Sequence, residues 1–220
     1  AGTVLAKKKT EDAPHVILLP ERTFDEQAFL NRVKSTVATF NYCIVVVGEG
    51  LKDASGKEIS ADSEKLDAFG HPILAGVADT LRDLVEEKLG TKTRTVKLGY
   101  AQRAAAHFAS RTDAEESFAC GTAAVNGAMA GHSGKMVKIV RTSSNPYTWT
   151  TDLHDLAEIA NVENLIPEDW ISDDGLTPNE KFEEYARPLI EGENKIPMEG
   201  GLPKYAELQR FPVDKKLSSR

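Results

Sequence analysis

The sequence has little cysteine, no long apolar run and no surplus of positive charge, and each shortage removes a class of protein. Two cysteines, Cys43 and Cys120, do not make a disulfide framework. Cys43 lies inside the run Cys43-Ile44-Val45-Val46-Val47, where a thiol acts as a small buried hydrophobe. No stretch approaches the roughly 20 apolar residues of a membrane span, and no basic segment followed by a short apolar core opens the chain. We therefore expect a cytoplasmic protein without membrane association. Lys and Arg number 27 against 34 Asp and Glu, a net charge of -7. Broad nucleic-acid binding sets several cations against phosphates and is not expected. The five histidines (His15, His71, His107, His132, His154) are scattered without HxxxH spacing, and no CxxC occurs, so a metal site built by them is not expected. No GxSxG elbow is present, and no GxGxxG turn follows any strand, which disfavours a serine hydrolase and a dinucleotide-binding domain.

What remains is a chain of 220 residues, 40% apolar and 28% charged. At this length about 70% of the unfolded surface can be buried, enough for a core without metal or disulfide, as one large domain or two small ones. Residues 15–20 (HVILLP) and 42–49 (YCIVVVGE) read as strands buried on two faces. Between them Phe24, Ala28, Phe29, Val33, Val37 and Phe40 form a helical stripe, started by a capping box of Thr23 and Glu26. A second stripe runs through Phe69, Ile73, Leu74, Val77, Leu81, Leu84, Val85 and Leu89 and stops at Gly90. Residues 93–98 (TRTVKL) alternate like a strand. Residues 112–130 predict a third helix, capped by Thr112 and Glu115, with small residues at Gly121, Ala124 and Ala128. Residues 135–141 predict another strand, and 52–65 a surface loop. Gly131-His132-Ser133-Gly134-Lys135-Met136 has the wrong spacing for a phosphate loop and reads as a helix-to-strand turn. Beyond residue 142 the texture turns polar, Pro-bearing and acidic, with short helices expected near 152–160 and at 178–191, the latter opened by Thr177-Pro178-Asn179-Glu180, a third capping box combined with Pro at the first helical position. Strands alternating with helices predict an α/β fold: three layers, a largely parallel sheet and crossover helices. Residues 1–141 are expected to form its main portion and 142–220 an extension packed on it.

Open parallel sheets bind ligands beyond the carboxyl ends of their strands. The strand ends are Pro20-Glu21-Arg22, Gly48-Glu49-Gly50 and the segment from Leu98 to Arg103. Glu49 between two glycines offers an acceptor suited to sugar hydroxyls, with backbone free to approach a ligand. Arg103 presents a planar fork of donors that matches phosphate oxygens, and Tyr100 a phenolic hydroxyl. A phosphorylated polyol fits both. From spacing alone, two ordinary loop residues fit equally well.

The run LGYAQRAAAHFASRTDAEESFACGTAAVNGAMAGHSGKM, with ILLPE at 17–21, VVVGEG at 45–50, FGH at 69–71 and ANVENLIPEDWIS at 160–172, resembles the carboxyl-terminal half of 6-phosphofructokinases, and within them the bacterial pyrophosphate-dependent branch. The resemblance covers nearly the whole chain. It implies the family's α/β fold and a phosphotransferase that makes fructose 1,6-bisphosphate from fructose 6-phosphate, with pyrophosphate as donor and Mg²⁺ bound with that donor, mainly through a missing half. It also implies that Glu49 and the Tyr-x-x-Arg element, Tyr100-Ala101-Gln102-Arg103, bind fructose 6-phosphate. The family's donor loop, catalytic aspartate segment and Met-Gly-Arg segment have no counterpart here, and the first residue, Ala1, enters helix-compatible sequence at once. A fragment, inactive alone and with no catalytic residue of its own, is therefore expected. Gly48, where relatives usually carry Ser or Ala, and Ala104-Ala105, where the ATP-using branch has a glycine pair, depart from the family pattern. An ATP-dependent phosphofructokinase and a non-catalytic regulatory subunit of the same fold remain open. Assembly as a dimer or tetramer is implied.

Overall fold

The computed structural model describes residues 1–59, 61–66, 72–74 and 76–212. Strand β1 (Val16–Leu18) pairs in parallel with β2 (Val45–Val47), in the register Val16↔Val45, Ile17↔Val46 and Leu18↔Val47. Helix α1 (Glu26–Phe40) makes the crossover and turns Phe29, Leu30 and Val33 inward. Helix α2 (Val77–Leu89) adds Val77, Leu81 and Val85 to the same layer and ends at Gly90 (φ 63°), whose N–H donates to the Glu86 carbonyl at 3.1 Å, as the sequence predicts.

The alternation of β1 feeds two cores. Val16 and Leu18 join Phe29, Leu30, Leu81 and Val85 on one side. Ile17 and Leu19 join Val4, Ile171, Phe182 and Ala186 on the other. A strand sandwiched between two apolar layers is the three-layer α/β arrangement, and it explains why residues 15–20 are apolar without a polar face. The second layer combines the first turn of the chain with residues 171–186, and the latter segment is tied down where Ile17 donates its N–H to the Leu176 carbonyl at 2.7 Å.

Elsewhere the elements differ from the sequence expectations. The stripe of 69–89 is helical only from Val77. Ile73 and Leu74 belong to β4 (Pro72–Leu74), which pairs antiparallel with β3 (Ala61–Leu66), so the expected loop of 52–65 ends in a strand, while Phe69 and His71 lie outside the described residues. Residues 93–98 form no strand. They run along α2, where the Glu86 carboxylate accepts from the Thr93 N–H (2.8 Å) and Asp79 takes the Thr95 hydroxyl (2.9 Å) and the Lys97 ammonium (2.6 Å). Side-chain contacts to a helix have replaced ladder pairing.

Next come the one-turn α3 (Tyr100–Arg103), the long α4 (Arg111–Met129) and an antiparallel hairpin of β5 (Lys135–Ser144) and β6 (Tyr147–Asp155). The expected strand at 135–141 is present. The expected helix at 152–160 is corrected: its first four residues complete β6, and only α5 (Leu156–Ile159) is helical. The β-branched and aromatic run Tyr147-Thr148-Trp149-Thr150-Thr151 had the strand signal. Helix α6 (Glu180–Ala186) and a 3₁₀ turn (Arg187–Ile190) occupy the region 178–191. A short hairpin of β7 (Met198–Glu199) and β8 (Leu202–Pro203) follows.

All three expected capping boxes are displaced by two residues, and competing hydrogen bonds explain each case. The caps are Asp25, Ser110 and Asn179, accepting from the N–H groups of Ala28, Asp113 and Lys181. Phe24 donates its N–H to the Lys52 carbonyl, which keeps the chain extended past Thr23. Thr112 is drawn to the Glu191 carbonyl, and Thr177 exchanges bonds with Ser172.

Candidate functional site

The parallel pair of β1 and β2 carries its two carboxyl ends to one edge. Gly50 (φ 84°) turns the chain after β2, and a Cβ built there would sit 3.8 Å from the Pro20 side chain, so the loops after the two strands touch. This turn exposes Glu49, as the sequence predicts. On the neighbouring loop, Glu21 accepts from the Ile166 N–H at 3.3 Å through one oxygen, while the other is buried without a hydrogen bond. Arg22 pairs with Glu168 at 2.8 Å, and its Nε is likewise buried without a partner. Glu21 and Arg22 are thus committed to the segment that covers them.

A cavity of about 140 Å³ lies at the end of β1 and the start of α1, between Arg22, Thr23 and the turn Asp173-Asp174-Gly175. Asp174 forms an ion pair with Arg32. Burial pushes the Asp174 carboxyl up, but the Leu176 N–H, the Ser172 hydroxyl and Arg32 outweigh it and hold the group below the usual carboxylate range. Sequence reasoning missed Asp173 and Asp174 at this strand end. Their only signal was the Asp-Gly turn dipeptide.

Tyr100, Ala101, Gln102 and Arg103 are the whole of α3, entered through Gly99 in extended conformation. One helical turn brings the first and last together, with the Arg103 guanidinium carbon 5.8 Å from the centroid of the Tyr100 ring. All four residues are exposed. The phenol and the guanidinium therefore stand side by side toward solvent, an arrangement able to receive an anion. Neither the cavity at β1 nor a second one of about 520 Å³ beside Arg111 and Phe118 is lined by Glu49 or by any residue of α3. The structure brings Tyr100 to Arg103 and Glu49 to the sheet edge as two separate groups.

Among the described residues no three His, Cys, Asp or Glu side chains converge as metal ligands. Among them, no helix is long and apolar enough to cross a membrane. Cys43 and Cys120 are both free and half-buried. Burial pushes the Cys43 thiol up, which suits packing and not reactivity.

The family model described as "Phosphofructokinase" matches residues 4–145. The pyrophosphate–fructose 6-phosphate 1-phosphotransferase of Methylococcus capsulatus is 46% identical over 215 residues, 98% of this chain and 51% of the relative. That of Halomonas elongata is 42% identical over 217 residues, 99% of this chain and 52% of the relative. Among solved structures, the pyrophosphate-dependent phosphofructokinase of Marinobacter aquaeolei superimposes with a TM-score of 0.78 at 37% identity, over 97% of this chain and 50% of that one. The chain thus spans about half the length of the curated relatives it matches. Identity at this level over the sheet, the strand-end turns and the α4 hairpin leaves one assignment: the chain belongs to the phosphofructokinase family.

Proposed function

We propose that this chain is the sugar-phosphate-binding part of a pyrophosphate-dependent phosphofructokinase. The observation that carries the reading is the 46% identity over 98% of the chain to a protein named for that reaction. In this reading Glu49 accepts hydrogen bonds from hydroxyls of fructose 6-phosphate. Arg103 and Tyr100 hold its 6-phosphate, and Ala101 and Gln102 complete the turn that fixes their spacing. Residues 1–141 carry the binding loops, and 142–220 pack on them.

In the intact enzyme the 1-hydroxyl attacks one phosphorus of pyrophosphate in line. A new O–P bond forms as the bond to the bridging oxygen breaks, and the hydroxyl proton passes to a base outside this chain. Mg²⁺ bound with the donor would neutralise charge developing on its oxygens. Phosphoryl transfer depends mainly on position and charge. The share of this chain is position: Arg103 and Tyr100 hold the 6-phosphate, and Glu49 fixes the sugar hydroxyls.

The test joins this chain to the half of the Methylococcus capsulatus relative that it does not match and assays the product with pyrophosphate and with ATP. Arg103→Ala should raise KM for fructose 6-phosphate at least tenfold with a smaller change in kcat, since a charge-assisted hydrogen bond contributes about 1.5–3 kcal/mol. An unchanged KM removes Arg103 from the site, and activity with ATP alone reassigns the donor.

A further inference from the structure

Gly90 ends α2 and turns the chain back along that helix, so residues 91–99 lead to α3 without entering a sheet. Among the described residues no backbone-to-backbone hydrogen bond holds this stretch. Side-chain bonds to one face of α2 hold it instead. Asp79 and Glu86 lie two helical turns apart on that face, a separation of about 10 Å. An extended chain covers about 13 Å between Thr93 and Lys97. The returning segment therefore spans both carboxylates, with the Thr93 N–H on Glu86 at one end and Thr95 and Lys97 on Asp79 at the other.

Asp79 carries most of this attachment. Its Oδ1 accepts from the Thr95 hydroxyl and from the Arg82 guanidinium, each at 2.9 Å, and its Oδ2 takes the Lys97 ammonium at 2.6 Å. The bonds from Lys97 and Thr95 hold its carboxyl below the usual carboxylate range, so it is ionised at neutral pH. Only Leu98 and Gly99 separate Lys97 from Tyr100. Downstream of α3 the next anchor is Ser110, whose hydroxyl donates to the Leu189 carbonyl at 2.6 Å, followed by the Arg111 N–H on the Gly192 carbonyl at 3.0 Å. Helix α3 is exposed along its whole length and hangs between these two anchors. The upstream anchor is the one fixed to the sheet. Helix α2 packs Val77, Leu81 and Val85 into the core that holds Val16 and Leu18 of β1, and Val45 and Val47 of β2 pack against the same core. Glu49 follows β2 directly, so Asp79 ties α3 to the packed body that carries Glu49.

We infer, on the reading that α3 holds the 6-phosphate, that Asp79 is a positioning residue for the sugar phosphate: through Thr95 and Lys97 it sets where Tyr100 and Arg103 stand relative to Glu49. Two groups on separate loops grip one ligand only when their separation is held, and a misplacement of about 1 Å removes much of the gain. Arg82 supplies the comparison. It meets the same carboxylate from within α2, also pairs with Asp83, and makes no bond to residues 91–99, so its loss touches α2 and leaves the attachment of α3 in place.

Kinetics of this chain joined to the unmatched half of the Methylococcus capsulatus relative test it. Asp79→Ala should raise KM for fructose 6-phosphate at least about threefold, with smaller changes in kcat and in KM for pyrophosphate. Arg82→Met should lower the melting temperature without raising that KM. In a polypeptide already carrying Tyr100→Phe and Arg103→Ala, Asp79→Ala should add less than about twofold, because the groups it positions are gone. An unchanged KM in Asp79→Ala, or an equal rise in Arg82→Met, overturns the inference and leaves Arg103 in the site. An unchanged KM in Arg103→Ala overturns the sugar-phosphate reading and the inference with it. If Asp79→Ala does not melt cooperatively, Thr95→Val with Lys97→Met removes the same bonds from the other side and should give the same rise; no rise overturns the inference. If the joined polypeptide is inactive, a nitroxide on Leu98→Cys, with Cys43→Ala and Cys120→Ala, reports the attachment in this chain, since Leu98 is 73% exposed and lies between the anchor and α3. Asp79→Ala should sharpen its resonance lines and Arg82→Met should not; identical spectra overturn the inference.

Discussion

Around β1 every residue from Val16 to Leu19 is at most 4% exposed, whereas from residue 91 to residue 170 only Glu116 and Gly127 are buried. Both regions contain apolar segments, residues 16–19 in the first and 118–129 in the second. The first closes because α1, α2 and the segment around Ile171–Ala186 bring apolar faces to both sides of one strand. The second stays open because α4 and its hairpin cover each other on one side only. Apolar content permits a core, but burial requires a second face within reach.

The largest expected effect contrasts the two regions directly. Phe29 is 1% exposed, and Phe29→Ala should cost about 3–5 kcal/mol in a denaturant titration. Val125→Ala in the same chain should stay within about 0.5 kcal/mol. Comparable losses would mean that the outer face of α4 is already covered, and the contrast would fail.

A smaller effect concerns the one charged side chain buried in the open region. Glu116 accepts a hydrogen bond from the Tyr147 hydroxyl, while Arg141 lies between the rings of Tyr147 and Tyr185 at 4.7 and 4.3 Å. Burial, and then the Glu116 carboxylate, push the Tyr147 phenol up to about 12. Tyr147→Phe leaves Glu116 buried with one partner fewer and should cost about 1–3 kcal/mol. A neutral result would show that Glu116 reaches water and that the hairpin has no polar anchor.

The smallest belongs to the closed region. His15 is buried between Phe40 and Tyr42, its Nδ1 accepts from the Ile44 N–H at 3.0 Å, and Lys7 lies nearby. Desolvation, with Lys7 adding to it, lowers its pKa below the ordinary value. The unfolded chain therefore binds the proton first. The stability this neutral ring contributes is fully present above about pH 6.5 and declines as pH falls below it toward the folded value. His15→Gln should flatten the dependence of the urea midpoint between pH 7.5 and pH 5. An unchanged slope assigns that dependence to other groups.

Strand β1, the helical stripes of α1 and α2 and the Gly90 stop were legible because their signals are local, apolar periodicity and one left-handed residue, whereas β2 is only half-buried although its run is as apolar. The caps were not legible, since Thr23, Thr112 and Thr177 carried the right side chains but competing hydrogen bonds, of Phe24 to Lys52, of Thr112 to Glu191 and of Thr177 to nearby Ser172, displaced them. The same competition moved residues 93–98 off the sheet and onto Asp79 and Glu86. Of the candidate site, the exposed position of Glu49 followed from the glycines beyond β2, whereas the Tyr100–Arg103 turn does not end a strand, because residues 93–98 run along α2. The Asp173-Asp174 turn closing the end of β1 could not be foreseen, because most of the chain separates it from that strand.

The amino-acid sequence by itself determined the α/β class, the residues of the inner strand and the family, because periodicity and motif order survive without knowledge of contacts. Only the tertiary structure decided that one face of β1 is covered by α1 and α2 and the other by the first turn of the chain together with residues 171–186, and that α4 is left half bare among the described residues. Those outcomes depend on which surfaces meet, and meeting is a property of chain geometry that local sequence does not encode.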